Sequence, residues 1–347
     1  MKIRVGIAVG PGPVQEALRE VVEEDPGREL AWAAPGPSEA ASWCAHDTPD
    51  LLLLGLDERS VEATRRILAV SPTTILIVAA ADSADTGRVF DVLASGARDV
   101  VEPPRRRPGG LLENEAPVRA KLALLARLAA PAASALPART GRAEAPPAFP
   151  PLVAVGASTG GPGAVGSLLA ALPADLGAPI VVVQHLDDPF VKGLAGWLAS
   201  RSGRSVRTAV GGERPRPGDV LLAGTSAHLV VAENGTLAYT PEPRECPYRP
   251  SVDAFFSSAA RSWPGKGVAV LLTGMGRDGA EGLLACRSAG WLTIAQDEKT
   301  SVLYGMPRAA REIGAASEVL PLPDIAPAVA RRVREERSRT RESGGIG

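Results

Sequence analysis

The chain has 347 residues, enough for two domains with cores of ordinary size. Its 38 basic and 39 acidic residues leave a formal net charge of -1, which argues against a nucleic-acid footprint or a membrane-surface binder. Three cysteines, Cys44, Cys246 and Cys286, are odd in number and far apart, which excludes a disulfide framework or a paired zinc spacing and fits a reducing, cytoplasmic compartment.

The opening MKIRVGIAVGPG reads as a first β-strand; its apolar stretch is too short for a signal h-region. No run approaches the roughly 18 apolar residues of a membrane span, so neither secretion nor membrane insertion is expected. Residues 1–105 alternate short apolar runs (IRVGIAV, LLLLGL, TTILIVAA, DVVEPP) with amphipathic stretches such as VQEALREVVEED and VEATRRILAV. That pattern indicates buried parallel strands joined by crossover helices, one α/β domain. Residues 106–150 change in composition, with a helix-compatible ENEAPVRAKLALLARLAA followed by a proline- and alanine-rich run, and read as a linker carrying one exposed helix.

Residues 151–330 repeat the α/β logic. LVAVGAS, PIVVVQH, DVLLAG, HLVVA, GVAVLLTG and LTIAQD are strands by length and β-branched content, with AVGSLLAAL, FVKGLAGWLAS, SVDAFFSSAAR and AEGLLACRSAG as interposed helices. Asn234-Gly235 between the apolar runs of HLVVAENGTLAYT signals a hairpin. A doubly wound, mostly parallel sheet with one antiparallel hairpin follows. Residues 331–347, RRVREERSRTRESGGIG, read as a charged tail that frays.

Ligands of open α/β sheets bind outside the carboxyl ends of the strands, and three residues there carry chemistry. Ser158 follows the first strand of the second block, His185 ends PIVVVQH, and Asp278 follows VLLTGMGR. A hydroxyl nucleophile, an imidazole base and an orienting carboxylate are what acyl transfer requires. Gly156-x-Ser158-x-Gly160 has the spacing of a nucleophile elbow, but the order Ser, His, Asp and the short interval from Ser158 to His185 differ from the α/β-hydrolase arrangement. Other readings stay open on these residues alone. Ser158 and Asp278 can be simple helix caps, His228 can pack against a strand, and GASTGGPG can be a dinucleotide cradle. The last lacks G-x-G-x-x-G spacing, and no Lys-Ser/Thr pair makes it a P-loop. Met275 and Met306, both in Gly-Met contexts, read as positions chosen for a site.

LVAVGASTGGPGAV, VVVQHLDDPF, RPSVDAFFSSAA, VLLTGMGRDGAEGL and AQDEKTSVLYGMPRAA, in this order, resemble the catalytic domain of the chemotaxis protein-glutamate methylesterases, the CheB family. The resemblance implies hydrolysis of glutamyl methyl esters on the cytoplasmic methylation helices of methyl-accepting chemoreceptors, releasing methanol, and deamidation of receptor glutamines. It implies neither metal nor cofactor. Position by position, Ser158 is the expected nucleophile, His185 the base and Asp278 the orienting carboxylate. The Met275 amide is an oxyanion candidate with Thr159, and Arg249 and Ser251 are expected near the cleft.

The first domain resembles the family's flavodoxin-like receiver but lacks its phosphoryl-transfer residues. Val9-Gly10 stands where an acidic pair belongs, Gly55 at the phosphoacceptor position, Ala79 to Ala81 for a hydroxyl residue and Pro103 for a lysine. Without a carboxylate to attack and a magnesium site, no phosphorylation is expected. Asp57, two residues beyond Gly55, lacks the acidic pair as well. Such a pseudo-receiver would leave the enzyme constitutively active or gated by other chemosensory proteins. Asp187-Asp188, just after His185, adds negative charge expected to favour the imidazolium. The competing reading is a catalytically silent scaffold in a chemosensory complex.

Overall fold

The computed structural model describes residues 2–80, 86–107, 109, 111–126, 149–224, 227–246 and 248–344. The chain divides into two compact units, Met1–Ala135 and Leu136–Gly347.

In the first unit, β1 (Ile3–Ala8), β2 (Arg28–Ala34), β3 (Leu51–Gly55), β4 (Thr74–Val78) and β5 (Asp99–Val101) form one parallel sheet in the order β2-β1-β3-β4-β5, the flavodoxin-like order. Helices α1 (Pro13–Glu23), α2 (Pro37–His46), α3 (Ser60–Val70) and α4 (Thr86–Ala94) make the crossovers. β3, LLLLG, is buried along its whole length, which is why it reads as a continuous apolar run rather than an alternation. At the carboxyl ends of β1 and β3 the Gly55 carbonyl accepts a 3.1 Å bond from Ser60 Oγ, and a Cβ on Gly55 would stand 3.3 Å from the Ala8 carbonyl oxygen. Asp57 Oδ1 is taken up locally, accepting from Ser60 Oγ at 2.9 Å and the Arg59 amide at 2.8 Å. Ala81 lies outside the described residues.

The expected linker with an exposed helix is corrected in part. β6 (Arg105–Arg106) and β7 (Leu112–Glu113) form a short antiparallel hairpin, and α5 (Glu115–Ala126) follows. Val118, Leu122 and Leu125, spaced i, i+4, i+7, are buried with Val5, Leu18, Leu51 and Val101. Lys121 Nζ donates to Asp99 Oδ1 at 3.1 Å, and Arg119 pairs with Glu115 and Glu24. The helix therefore completes the first unit. The rest of the expected linker, 127–148, lies outside the described residues.

In the second unit the sheet has seven parallel strands, β8 (Leu152–Ala157), β9 (Ile180–Gln184), β10 (Val206–Thr208), β11 (Val220–Leu222), β14 (Gly267–Leu271), β15 (Leu292–Gln296) and β16 (Glu318–Leu320), in the order β10-β11-β9-β8-β14-β15-β16. β12 (His228–Val231) and β13 (Leu237–Thr240) make the expected antiparallel hairpin, with Gly235 at φ 76° in its turn. Helices α6 (Gly161–Ala171), α7 (Asp188–Ser202), α8 (Val252–Ser262), α9 (Ala280–Ser288) and α10 (Met306–Glu312) connect them. Phe255, Phe256, Trp263, Leu271 and Leu283 lie in the core between α8, α9 and the sheet.

The charged tail is a second correction. α11 (Leu322–Gly344) runs straight through residues 331–344, with Val329, Ala330 and Val333 buried on one face. Glu336, also buried, receives Arg332 at 2.9 Å and Arg339 at 3.0 Å. Paired charges and an apolar face hold the segment helical; residues 345–347 lie outside the described residues.

Candidate active site

β8 is the strand from which chain order departs in both directions, β9 and β11 on one side, β14 and β15 on the other. This is the switch point at which α/β sheets place their ligands. Register fixes what meets there. Ala157 pairs with Gln184, the His185 amide donates to the Ala157 carbonyl at 3.0 Å, and the Ser158 amide donates to the Thr273 carbonyl at 3.1 Å. Ser158, His185 and the 273–278 turn thus leave three adjacent strands at one level.

Ser158 is partly exposed, and Gly160, two residues on, takes φ 76° to turn the chain into α6. That left-handed conformation is what a glycine supplies without strain. Gln184, buried beneath the turn, donates to both the Ser158 carbonyl at 2.8 Å and the His185 carbonyl at 3.0 Å, tying the two strand ends together.

His185 and Asp278 are hydrogen-bonded, Nε2 to Oδ2 at 2.7 Å, with side-chain exposures of 11% and 4%. Asp278 also accepts from Ser251 Oγ at 2.8 Å and from the amides of Val252 at 2.6 Å and Asp253 at 3.1 Å. Burial pushes this carboxyl up, but the hydrogen bond from His185, the imidazole charge and the two amides outweigh it and hold it below the usual carboxylate range. An ionised carboxylate only accepts, so Nε2 carries a proton toward it, and Nδ1 is the nitrogen that offers a lone pair in the neutral ring. Nδ1 is buried and has no protein partner among the described residues. The ring is used the opposite way round from the Ser-His-Asp template, in which Nδ1 faces the carboxylate.

Asp253 lies behind Asp278 and accepts from the Gly282 amide at 2.6 Å. Burial, then the charge of Asp278, raises its pKa. The two carboxyls therefore part, one ionised toward His185 and one inclined to keep its proton.

Among the described residues the amides of Thr159 and Met275 donate to no protein acceptor. Thr159 is buried and its carbonyl accepts from Thr273 Oγ1 at 2.9 Å; Met275 is partly exposed. Met306 is fully buried and packs its sulfur against Gly274 beside Ser158, a supporting position rather than a site-facing one. Arg249 donates to the Arg244 carbonyl at 2.8 Å, and Ser251 is in the cluster. Asp187 caps α7 by position, without a side-chain cap bond, and Asp188 opens its first turn.

Two contacts were not apparent from the sequence. Tyr248 stacks on the His185 ring, centroids 4.6 Å apart and planes within 5°. Burial, then Asp278, pushes its phenol above the ordinary range. His228 is fully buried at the start of β12; its Nδ1 accepts from the Ser251 amide at 3.1 Å and its Nε2 donates to the Pro243 carbonyl at 3.1 Å. It fixes the chain on which Ser251 approaches Asp278. A lone tyrosine before RPSVD and a histidine opening a strand carry no spacing signal that would reveal either contact.

Comparison with known proteins places the chain in a family. Residues 153–329 match the family described as CheB methylesterase. The chain is 48% identical over 320 residues to protein-glutamate methylesterase/protein-glutamine glutaminase 1 of Pseudomonas fluorescens, covering 90% of this chain and 94% of that protein. It is 45% identical over 328 residues to the protein numbered 2 of the same name in Cupriavidus metallidurans, covering 94% and 97%. The crystal structure of the Thermotoga maritima CheB methylesterase catalytic domain superposes with a TM-score of 0.51 at 37% identity, covering 53% of this chain and 99% of that one. The chain belongs to the CheB methylesterase family.

Proposed function

We propose that the protein is a protein-glutamate methylesterase, a carboxylic ester hydrolase that converts glutamyl methyl esters on the cytoplasmic methylation helices of chemoreceptors to glutamate and methanol. The observation that carries this reading is the convergence of Ser158, His185 and Asp278 from adjacent strand ends, with Nδ1 buried and without a protein partner among the described residues and Nε2 bonded to an ionised carboxylate.

Ser158 Oγ attacks the ester carbonyl carbon while His185 Nδ1 takes its proton. The negative charge moves to the carbonyl oxygen, where the Met275 and Thr159 amides stand ready to donate. Asp278 balances the imidazolium. Collapse breaks the bond to methoxide, which leaves as methanol with the proton from Nδ1. Water then attacks the acyl-serine, Nδ1 accepts its proton, and Ser158 recovers that proton as glutamate departs. An amide enters by the same steps, with ammonia as leaving group, so glutaminyl side chains are a second substrate class, consistent with the double name of the relatives.

The first unit serves as a receiver fold without phosphoryl chemistry: Val9, Gly10, Gly55 and Ala79 offer no carboxylate or hydroxyl where β1, β3 and β4 end. It engages other chemosensory proteins instead. A fluorophosphonate probe tests the nucleophile. Mass spectrometry should place one adduct on the peptide containing Ser158, lost in His185→Ala; labelling elsewhere, or none on folded protein, would favour the silent scaffold.

A further inference from the structure

The stacking of Tyr248 on His185 belongs to a larger contact. The phenol lies on the imidazole face, and its Oη reaches Gly276, where an added Cβ would stand 2.6 Å away. Gly276, at φ 81°, directly follows Met275, whose amide has no protein acceptor among the described residues. One half-buried side chain therefore touches both the ring of the base and the turn beside it.

We infer that Tyr248 is a positioning residue for the reaction, its ring face holding the His185 imidazole in plane and stabilising the imidazolium formed when Nδ1 takes the serine proton. The inference rests on the proposed role of His185 as base. Asp278 grips the imidazole at Nε2 alone, and a turn of the ring about its attachment bond would re-aim Nδ1. A parallel aromatic ring at 4.6 Å blocks it. The face of a phenol is also the negative part of its quadrupole, so the attraction grows when the imidazole becomes a cation. The aromatic face thus acts more strongly on the charged form than on the neutral one, the condition for lowering a barrier.

The test combines kinetics with a proton titration in full-length protein. Other titratable or charged groups on the elements meeting at the ring are Asp278 and Arg277 after β14, Asp253 on α8, Cys246 and Arg249 near Tyr248, and Asp187 and Asp188 after His185. None is altered by the substitutions. Tyr248→Leu should lower kcat about tenfold, the size of a partly desolvated cation–π contact, with KM within about twofold. The His185 pKa, read by NMR in Ser158→Ala protein, should fall on adding Tyr248→Leu. Tyr248→Phe, which keeps the ring, should restore most of kcat and of the imidazole pKa. Unchanged kcat and pKa in Tyr248→Leu, a loss confined to KM, or Tyr248→Phe as impaired as Tyr248→Leu would overturn the inference; thermal unfolding of each variant separates these results from misfolding. Full activity in His185→Ala would instead remove the base assignment itself, whatever Tyr248 does.

Discussion

At the residue scale the decisive feature is the division of labour between two neighbouring carboxyls. Asp278 stays ionised because His185, two amides and Ser251 Oγ all donate to it, and Asp253 is pushed the other way by burial and by Asp278. Asp278→Asn should therefore leave the fold in place and lower kcat by about 10⁴, as for a triad whose histidine tautomer is lost; initial-rate measurements with circular dichroism check both halves. The pH dependence of stability has opposite signs at the two groups. A depressed carboxyl such as Asp278 contributes stability above its unfolded pKa and loses it as pH falls through the folded value. A raised one such as Asp253 contributes at acid pH and loses it as pH rises through the folded value. Asp253→Asn, which retains an acceptor for Gly282, should thus gain Tm relative to wild type on going from about pH 5 to pH 8. A Tm difference independent of pH would contradict that. Ser158 and His185 were legible in the sequence at the ends of apolar runs, whereas Asp278, separated from its run by TGMGR, stood out as more than a helix cap only through the family resemblance of VLLTGMGRDGAEGL. Tyr248, Gln184 and His228 were not, because their partners lie in other elements and no interval in the chain encodes the contact.

At the element scale the strands that carry the site were readable from four to seven apolar residues in a row, and their parallel pairing followed from the helices between them. β10 and β16 escaped because three-residue edge strands, VRT and EVL, hold too little pattern to separate from loop. α5 was misplaced for a different reason. Its segment is apolar on much of its circumference, so the sequence shows a helix without showing which face is covered; only the structure shows Val118, Leu122 and Leu125 against the β1–β3 core. Leu122→Ala should lower unfolding free energy of the first unit by about 2–5 kcal/mol, the range for a fully buried leucine. Urea unfolding checks this, and a change below about 0.5 kcal/mol would mean that the helix is dispensable to that core. α11 follows the same lesson, since an arginine- and glutamate-rich segment stays packed when one face is apolar and its charges are paired.

At the scale of the whole molecule, a unit that matches the CheB methylesterase family is joined to a unit with the strand order of a receiver. The second unit carries the family match, the nucleophile turn and the His–Asp pair. The first keeps the sheet order of a receiver while Gly55 ends the strand that would present the phosphorylated aspartate. That unit keeps its hydrophobic core while four positions lack the groups that phosphoryl transfer requires. Activity should accordingly depend on Ser158 and not on a phosphodonor. The direct measurement is methanol release from methylated receptor fragments by wild type and by Ser158→Ala, each with and without acetyl phosphate and magnesium. The account predicts release by the wild type at the same rate in both conditions and none by Ser158→Ala. Release that persists in Ser158→Ala, or that appears only with acetyl phosphate, would contradict it.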